Sequence, residues 1–143
     1  MSSYAIHALP AGEVDTGAPT SVLRPADDRS PCRRCLRDAE PGEPLVLAPY
    51  DPFTRRSAYA GEGPVFVHAD GCEPFAGGET EQVGGRTLSI RAYDADAMLT
   101  DSAVLPGERF EETARAMLDD PDTAFLHVHF AGPGCFAFRV DRV

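Results

Sequence analysis

Hydrophobic and polar positions alternate most regularly in Thr87-Leu88-Ser89-Ile90-Arg91-Ala92-Tyr93. Leu88, Ile90 and Ala92 share one face; Thr87, Ser89, Arg91 and Tyr93 share the other, the two-residue period of a half-buried strand. Similar short runs predict strands over 4–8, 45–49, 64–68, 102–105, 124–130 and 135–141. A helical period appears once, over about 107–119. There Phe110, Ala114, Met117 and Leu118 form one apolar stripe. Glu108, Glu111 and Glu112 lie at its start, where the helix dipole favours negative charge. Glu111 and Arg115 are spaced to pair across one turn. Asp120-Pro121 ends it, because a residue before proline avoids helical geometry. Residues 10–31 and 73–86 are rich in turn formers and read as loops. The expected fold is α+β. It is a single domain over 1–143, with a mainly antiparallel sheet of short strands, the 107–119 helix packed on one face, and a C-terminal hairpin.

The hairpin carries most information. Ala124, Leu126, Val128 and Phe130 make an apolar row opposite Phe125, His127 and His129. Beyond Ala131-Gly132-Pro133-Gly134, the residues Phe136, Phe138 and Val140 alternate with Cys135, Ala137, Arg139 and Asp141. A loop that pairs residue 130 with 135 would set Phe136 and Phe138 beside the histidines. One that pairs 129 with 135 segregates the rows better, collecting His127, His129, Cys135, Arg139 and Asp141 on one face. The second register is therefore expected, with Gly134 supplying a left-handed loop residue. On that polar face, His127, His129 and Cys135 are candidates for acid–base chemistry or for an open metal position, the alternative being that His127-Val128-His129 is simply a polar strand face touching water or a loop. Arg91 is a candidate anion clamp, unless it pairs internally with Asp94 or Asp96.

Composition narrows the function classes. The 143-residue chain has no Lys, Asn or Trp, and all thirteen of its basic residues are Arg. Without Lys there is no Schiff base for pyridoxal phosphate and no P-loop lysine for a nucleotide. A net charge of −10 argues against a nucleic-acid partner. The charge is uneven: residues 24–56 hold seven Arg against six acids, which leaves −11 on the remainder. An Arg-rich patch on an acidic body suits a small anionic ligand, the alternative being a solvated loop of mixed charge, and the acidic surface suits a protein partner. No apolar run reaches the roughly 18 residues of a membrane helix, and Met1-Ser2-Ser3-Tyr4 does not open like a signal peptide. A cytoplasmic location, with no membrane partner, is the expectation.

Four cysteines in such a setting read as thiols, ligands or redox groups rather than structural disulfides. Cys32-Arg33-Arg34-Cys35 has the spacing of a chelating turn, and His68-Ala69-Asp70-Gly71-Cys72 offers a second pair. Together Cys32, Cys35, His68 and Cys72 make a candidate tetrahedral zinc set, with Gly71 easing the second turn. Arg33, Arg34 and Arg37 favour thiolates there. Leu36 departs from the pattern, since most zinc knuckles place Gly after the second Cys. Free cysteines remain an alternative, as does a Cys32–Cys35 or Cys35–Cys72 disulfide. A thioredoxin-like role lacks its surrounding βαβ pattern. The signatures G-x-S-x-G, H-E-x-x-H and G-x-G-x-x-G are absent.

Several ordered runs resemble a known family. They are Cys32-Arg33-Arg34-Cys35-Leu36-Arg37-Asp38-Ala39-Glu40-Pro41-Gly42-Glu43, Tyr50-Asp51-Pro52-Phe53, Gly63-Pro64-Val65-Phe66-Val67-His68, Arg91-Ala92-Tyr93-Asp94, His127-Val128-His129 and Pro133-Gly134-Cys135-Phe136. From about residue 30 to the end, the chain is similar to the bacterial family catalogued as domain of unknown function 1203. The resemblance implies a single-domain bacterial protein and transfers no catalytic residue, substrate or cofactor. Two functional expectations follow from the residues. One is a binding or interaction module with a structural zinc on Cys32, Cys35, His68 and Cys72. The other is an enzyme or small-anion binder using Arg91, His127 and His129.

Overall fold

The computed structural model describes residues 2–143. In chain order its elements are β1 (Tyr4–His7), β2 (Val22–Pro25), β3 (Ser30–Pro31), β4 (Asp38–Ala39), β5 (Pro44–Tyr50), β6 (Gly63–His68), β7 (Thr87–Tyr93), β8 (Leu99–Pro106), α1 (Phe110–Asp119), β9 (Phe125–Phe130) and β10 (Phe136–Arg142). A five-stranded sheet runs in the order β1-β10-β9-β7-β8. A three-stranded sheet runs β2-β5-β6, and β3 pairs with β4. Every strand pairing is antiparallel. The fold is α+β, as the periodicities predict.

The apolar rows decide the layering. Leu88, Ile90 and Ala92 of β7 meet Leu126 and Val128 of β9 and Phe138 and Val140 of β10. Against them pack Phe110, Ala114, Met117 and Leu118 of α1. A 3-10 turn at Gly107–Arg109 leads into the helix. Glu111 pairs with Arg115 at 3.1 Å, and Asp120 leaves helical geometry before Pro121. Gly107 is required by space: a Cβ there would overlap the Val83 carbonyl oxygen.

The opposite face of the large sheet is covered too. Phe136 packs with Tyr50, Val65 and Val67 of the smaller sheet, while Tyr93 and Phe125 pack with Phe53. The expected open polar face is thus largely interior.

The hairpin register differs from expectation. His129 pairs with Phe136, not with Cys135, because four residues form the loop. Phe130 N–H donates to Cys135 O (3.0 Å) and Gly134 N–H to Phe130 O (2.8 Å). Gly134 does take the left-handed conformation, at φ 81°. A bulge at Ala137 then shifts the pairing, so Phe138 faces Val128 and Arg139 faces His127. Polar and apolar rows are separated by the inserted residue rather than by loop length, and of Phe136 and Phe138 only Phe136 stays beside the histidines.

Residues 10–31 hold β2 and β3 as well as loop. Val22–Pro25 is exposed along its whole length and shows no alternation to read. Residues 73–86 contain only a 3-10 turn, Glu81–Val83.

Candidate metal centre

Two tight turns build the cluster. In the first, Cys32 N–H donates to Arg37 O (3.1 Å) and Leu36 N–H to Cys32 O (3.1 Å). Closing it needs a left-handed residue, and Leu36 takes that role at φ 55°. For a branched side chain this conformation costs on the order of 1–2 kcal/mol. Burial offsets it: Leu36 is 1% exposed, within the core beneath α1. Thr80 Oγ1 donates to Leu36 O (2.6 Å) and Gln82 Nε2 to Cys32 O (3.1 Å), so the turn's carbonyls are held by buried side chains. The second turn follows β6, where Gly71 at φ 85° swings Cys72 back past His68. The two are joined by Arg33 N–H donating to Phe66 O (2.9 Å) and Arg34 Nη1 donating to His68 O (3.2 Å).

The result brings one ligand atom each from Cys32, Cys35, His68 and Cys72 within 4.8 Å of one another. Cys32 Sγ and Cys72 Sγ are 3.8 Å apart, and Cys35 Sγ is 3.7 Å from His68 Nδ1. Tetrahedral zinc with bonds of about 2.3 Å to sulfur and about 2.0 Å to nitrogen requires S–S edges of about 3.8 Å and S–N edges of about 3.6 Å. The observed spacings match both. Cys32 and Cys35 are buried, and Cys72 and His68 are partly so. His68 turns Nε2 toward Glu43, 3.5 Å away, the outer carboxylate that orients many metal-binding imidazoles. Glu43 carries no sequence signal for this role, since only the fold brings it to His68.

The thiols differ in how readily they ionise. Burial pushes Cys32 up, but backbone N–H groups of Cys35, His68 and Arg34 and the His68 side chain outweigh it and hold the thiol at about 7. Cys72 is pushed up to about 12, first by burial and then by negative charge on Cys32 and Cys35. A metal ion held among these sulfurs would favour their thiolate forms.

A profile of the family described as "Protein of unknown function (DUF1203)" matches residues 29–142. The chain belongs to that family. The match spans all four cluster residues and the C-terminal hairpin of this DUF1203 protein, and the family's description states no activity. No curated protein and no solved structure matches the chain.

The other candidates lie elsewhere. Arg91 and His127 are cross-strand partners on β7 and β9, and Ser89 faces His129, so the three candidates do share a face. Arg91 Nη1 lies 3.3 Å from His129 Nε2, and Arg91 makes no ion pair with Asp94 or Asp96. His129 Nδ1 meets Gly134 O at 2.9 Å. His127 is fully buried, with Phe53, Tyr93, Phe125 and Phe136 packed around its ring at 4.7–5.3 Å. Neither of its nitrogens has a hydrogen-bond partner among the described residues. Burial, followed by the charges of His129, Arg139 and Arg91, pushes its pKa down to about 3. Burial likewise takes His129 down to about 4. Cys135 stands apart from both groups and accepts from Arg33 Nη2 at 2.9 Å. Arg33, at 1% exposure, has no carboxylate partner among the described residues. By sequence alone it is only a neighbour that favours thiolates.

No helix among the described residues is long and apolar enough to cross a membrane.

Proposed function

We propose that this chain is a small cytoplasmic binding module. Its Cys32, Cys35, His68 and Cys72 hold a structural zinc ion, and its acidic body meets a protein partner. The observation that carries the reading is the ligand geometry. Two turns far apart in sequence bring three sulfurs and one imidazole nitrogen within 4.8 Å of one another, with one S–S pair at 3.8 Å and one S–N pair at 3.7 Å, close to the edges of a zinc tetrahedron. Four protein ligands close the site, which suits a structural role more than a catalytic one. Zinc is favoured by the Cys₃His donor set. The reading as an anion-binding enzyme on Arg91, His127 and His129 has less support, because His127 is walled off from ligands by aromatic rings.

The test is elemental analysis of tag-free protein together with a cobalt(II) titration. One metal per chain, tetrahedral cobalt bands, and their loss in Cys32→Ser and His68→Ala are expected. Chelation is expected to unfold the region around both turns. Absence of metal, with four freely titrating thiols and an unchanged melting curve under chelator, removes the zinc reading.

A further inference from the structure

Beyond the metal cluster, the charges of the fold are unevenly matched. A groove of about 910 Å³ beside β1 is self-neutralised: His7 pairs with Asp141, Arg139 with Asp141, and Arg34 with Glu13. A second cleft, of about 560 Å³, differs. Arg29, Arg33 and Arg86 line it, and Leu47, Phe66 and Pro133 are among its apolar walls. Arg29 and Arg86 share a single carboxylate, Asp38, at 3.4 and 2.9 Å. Arg33 has none; its fork donates to the carbonyls of Phe136 (2.8 Å) and Pro31 (2.7 Å) and to Cys135 Sγ (2.9 Å). Three guanidiniums against one carboxylate leave a positive surplus in a chain whose net charge is −10. The Arg33 and Arg86 guanidiniums both lie over the Phe130 ring, at 5.1 and 5.0 Å from its centroid.

A buried cation without a carboxylate is costly unless an anion meets it. Each Arg33 guanidinium nitrogen has one partner among the described residues, so two of its five N–H groups remain without one there, in the lining of a cavity with apolar walls. Guanidinium forks match carboxylates geometrically, and apolar walls suit a hydrocarbon body.

We propose that this cleft binds a small organic carboxylate with an apolar body. The carboxylate lies toward Arg33 and Arg86, and the body rests against Leu47, Phe66 and Pro133. The Cys135 thiol stands at the site and reports its occupancy.

The experiment titrates 4-phenylbutyrate into the ¹⁵N-labelled protein as purified and follows amide shifts. 4-Phenylbutyramide serves as the neutral isostere and inorganic phosphate as the bare anion. Saturable shifts centred on Leu47, Phe66, Phe130 and Cys135 are expected, with the amide and phosphate at least about tenfold weaker. Bound carboxylate should also slow alkylation of Cys135 by iodoacetamide. Gly132→Phe should abolish binding. Gly132 lines the cleft outside the left-handed region, and a Cβ there meets nothing within 4 Å, so the ring fills the space without backbone strain. Leu47→Glu, at a half-buried position on β5, should abolish it by repulsion and covers the case in which Gly132→Phe misfolds. The proposal is overturned by an absence of saturable shifts, by equal binding of the amide or of phosphate, or by undiminished binding in the folded variants.

Discussion

Replacing His127 with leucine should stabilise the protein, and more so in acid. The wild-type imidazole is fully buried among four rings, and neither nitrogen is satisfied. Leaving a buried polar group unpaired costs about 1–3 kcal/mol, whereas a swap of similar volume costs less than about 1.5 kcal/mol. At pH 7.5 the variant should therefore gain on the order of 1 kcal/mol. The pH dependence has a definite sign. The folded pKa of about 3 lies below the unfolded value of 6.5. Above 6.5 the ring is neutral in both states, and this source of stability is fully present. Below 6.5 the unfolded chain takes up a proton that the folded chain refuses, so stability falls progressively toward pH 3. At about 1.4 kcal/mol per pH unit, wild type should lose about 2–3 kcal/mol from this group between pH 6.5 and 4.5. The His127→Leu variant has nothing to titrate at this position, so the gap between the proteins should widen by that amount. The assay is urea denaturation at pH 7.5, 6.0 and 4.5, followed by far-ultraviolet circular dichroism because the chain has no Trp. A gap that stays constant with pH, or a variant less stable at every pH, would refute the reasoning.

Two backbone positions give further predictions. Gly107→Ala should cost more than about 3 kcal/mol, because the new Cβ would overlap the Val83 carbonyl and only backbone movement relieves that. A melting temperature within about 2 °C of wild type would contradict the close approach. Leu36→Gly should relax the left-handed backbone yet still destabilise by about 1–3 kcal/mol, since a fully buried leucine is lost. Greater stability in urea would show that strain, not burial, governs that turn.

The apolar face of the fold was readable because it obeys fixed periods. The β7 row, the α1 stripe and the apolar half of β9 all meet in one core, as their spacing predicts. The Cys32, Cys35, His68 and Cys72 cluster was readable for a different reason: each pair sits within one turn, so short spacing stands in for geometry. What failed depended on single residues or distant partners. One extra residue, Ala137, changes the hairpin register, and nothing in an alternating Phe/Arg/Val run marks where a bulge falls. The polar face read as open because a strand pattern shows which side is polar and not what covers it. Phe53 and Tyr50, far upstream, close over His127 and Phe136. Arg33 looked like a charge favouring thiolates, and its burial against the C-terminal hairpin is a purely tertiary fact.

The sheet order also has a kinetic consequence. β10 lies between β9 and β1, where Tyr4 pairs with Arg142 and Ile6 with Val140. The first strand cannot find its neighbour until residues 136–142 have left the ribosome, so it waits unpaired through the synthesis of everything between. Closing so long a loop is slow and exposes strand edges meanwhile. A rearranged chain that joins residue 143 to residue 2 through a short linker, and opens instead at the exposed Gly61, would turn this most distant pairing into a local hairpin. Such a chain should fold faster without changing the finished sheet.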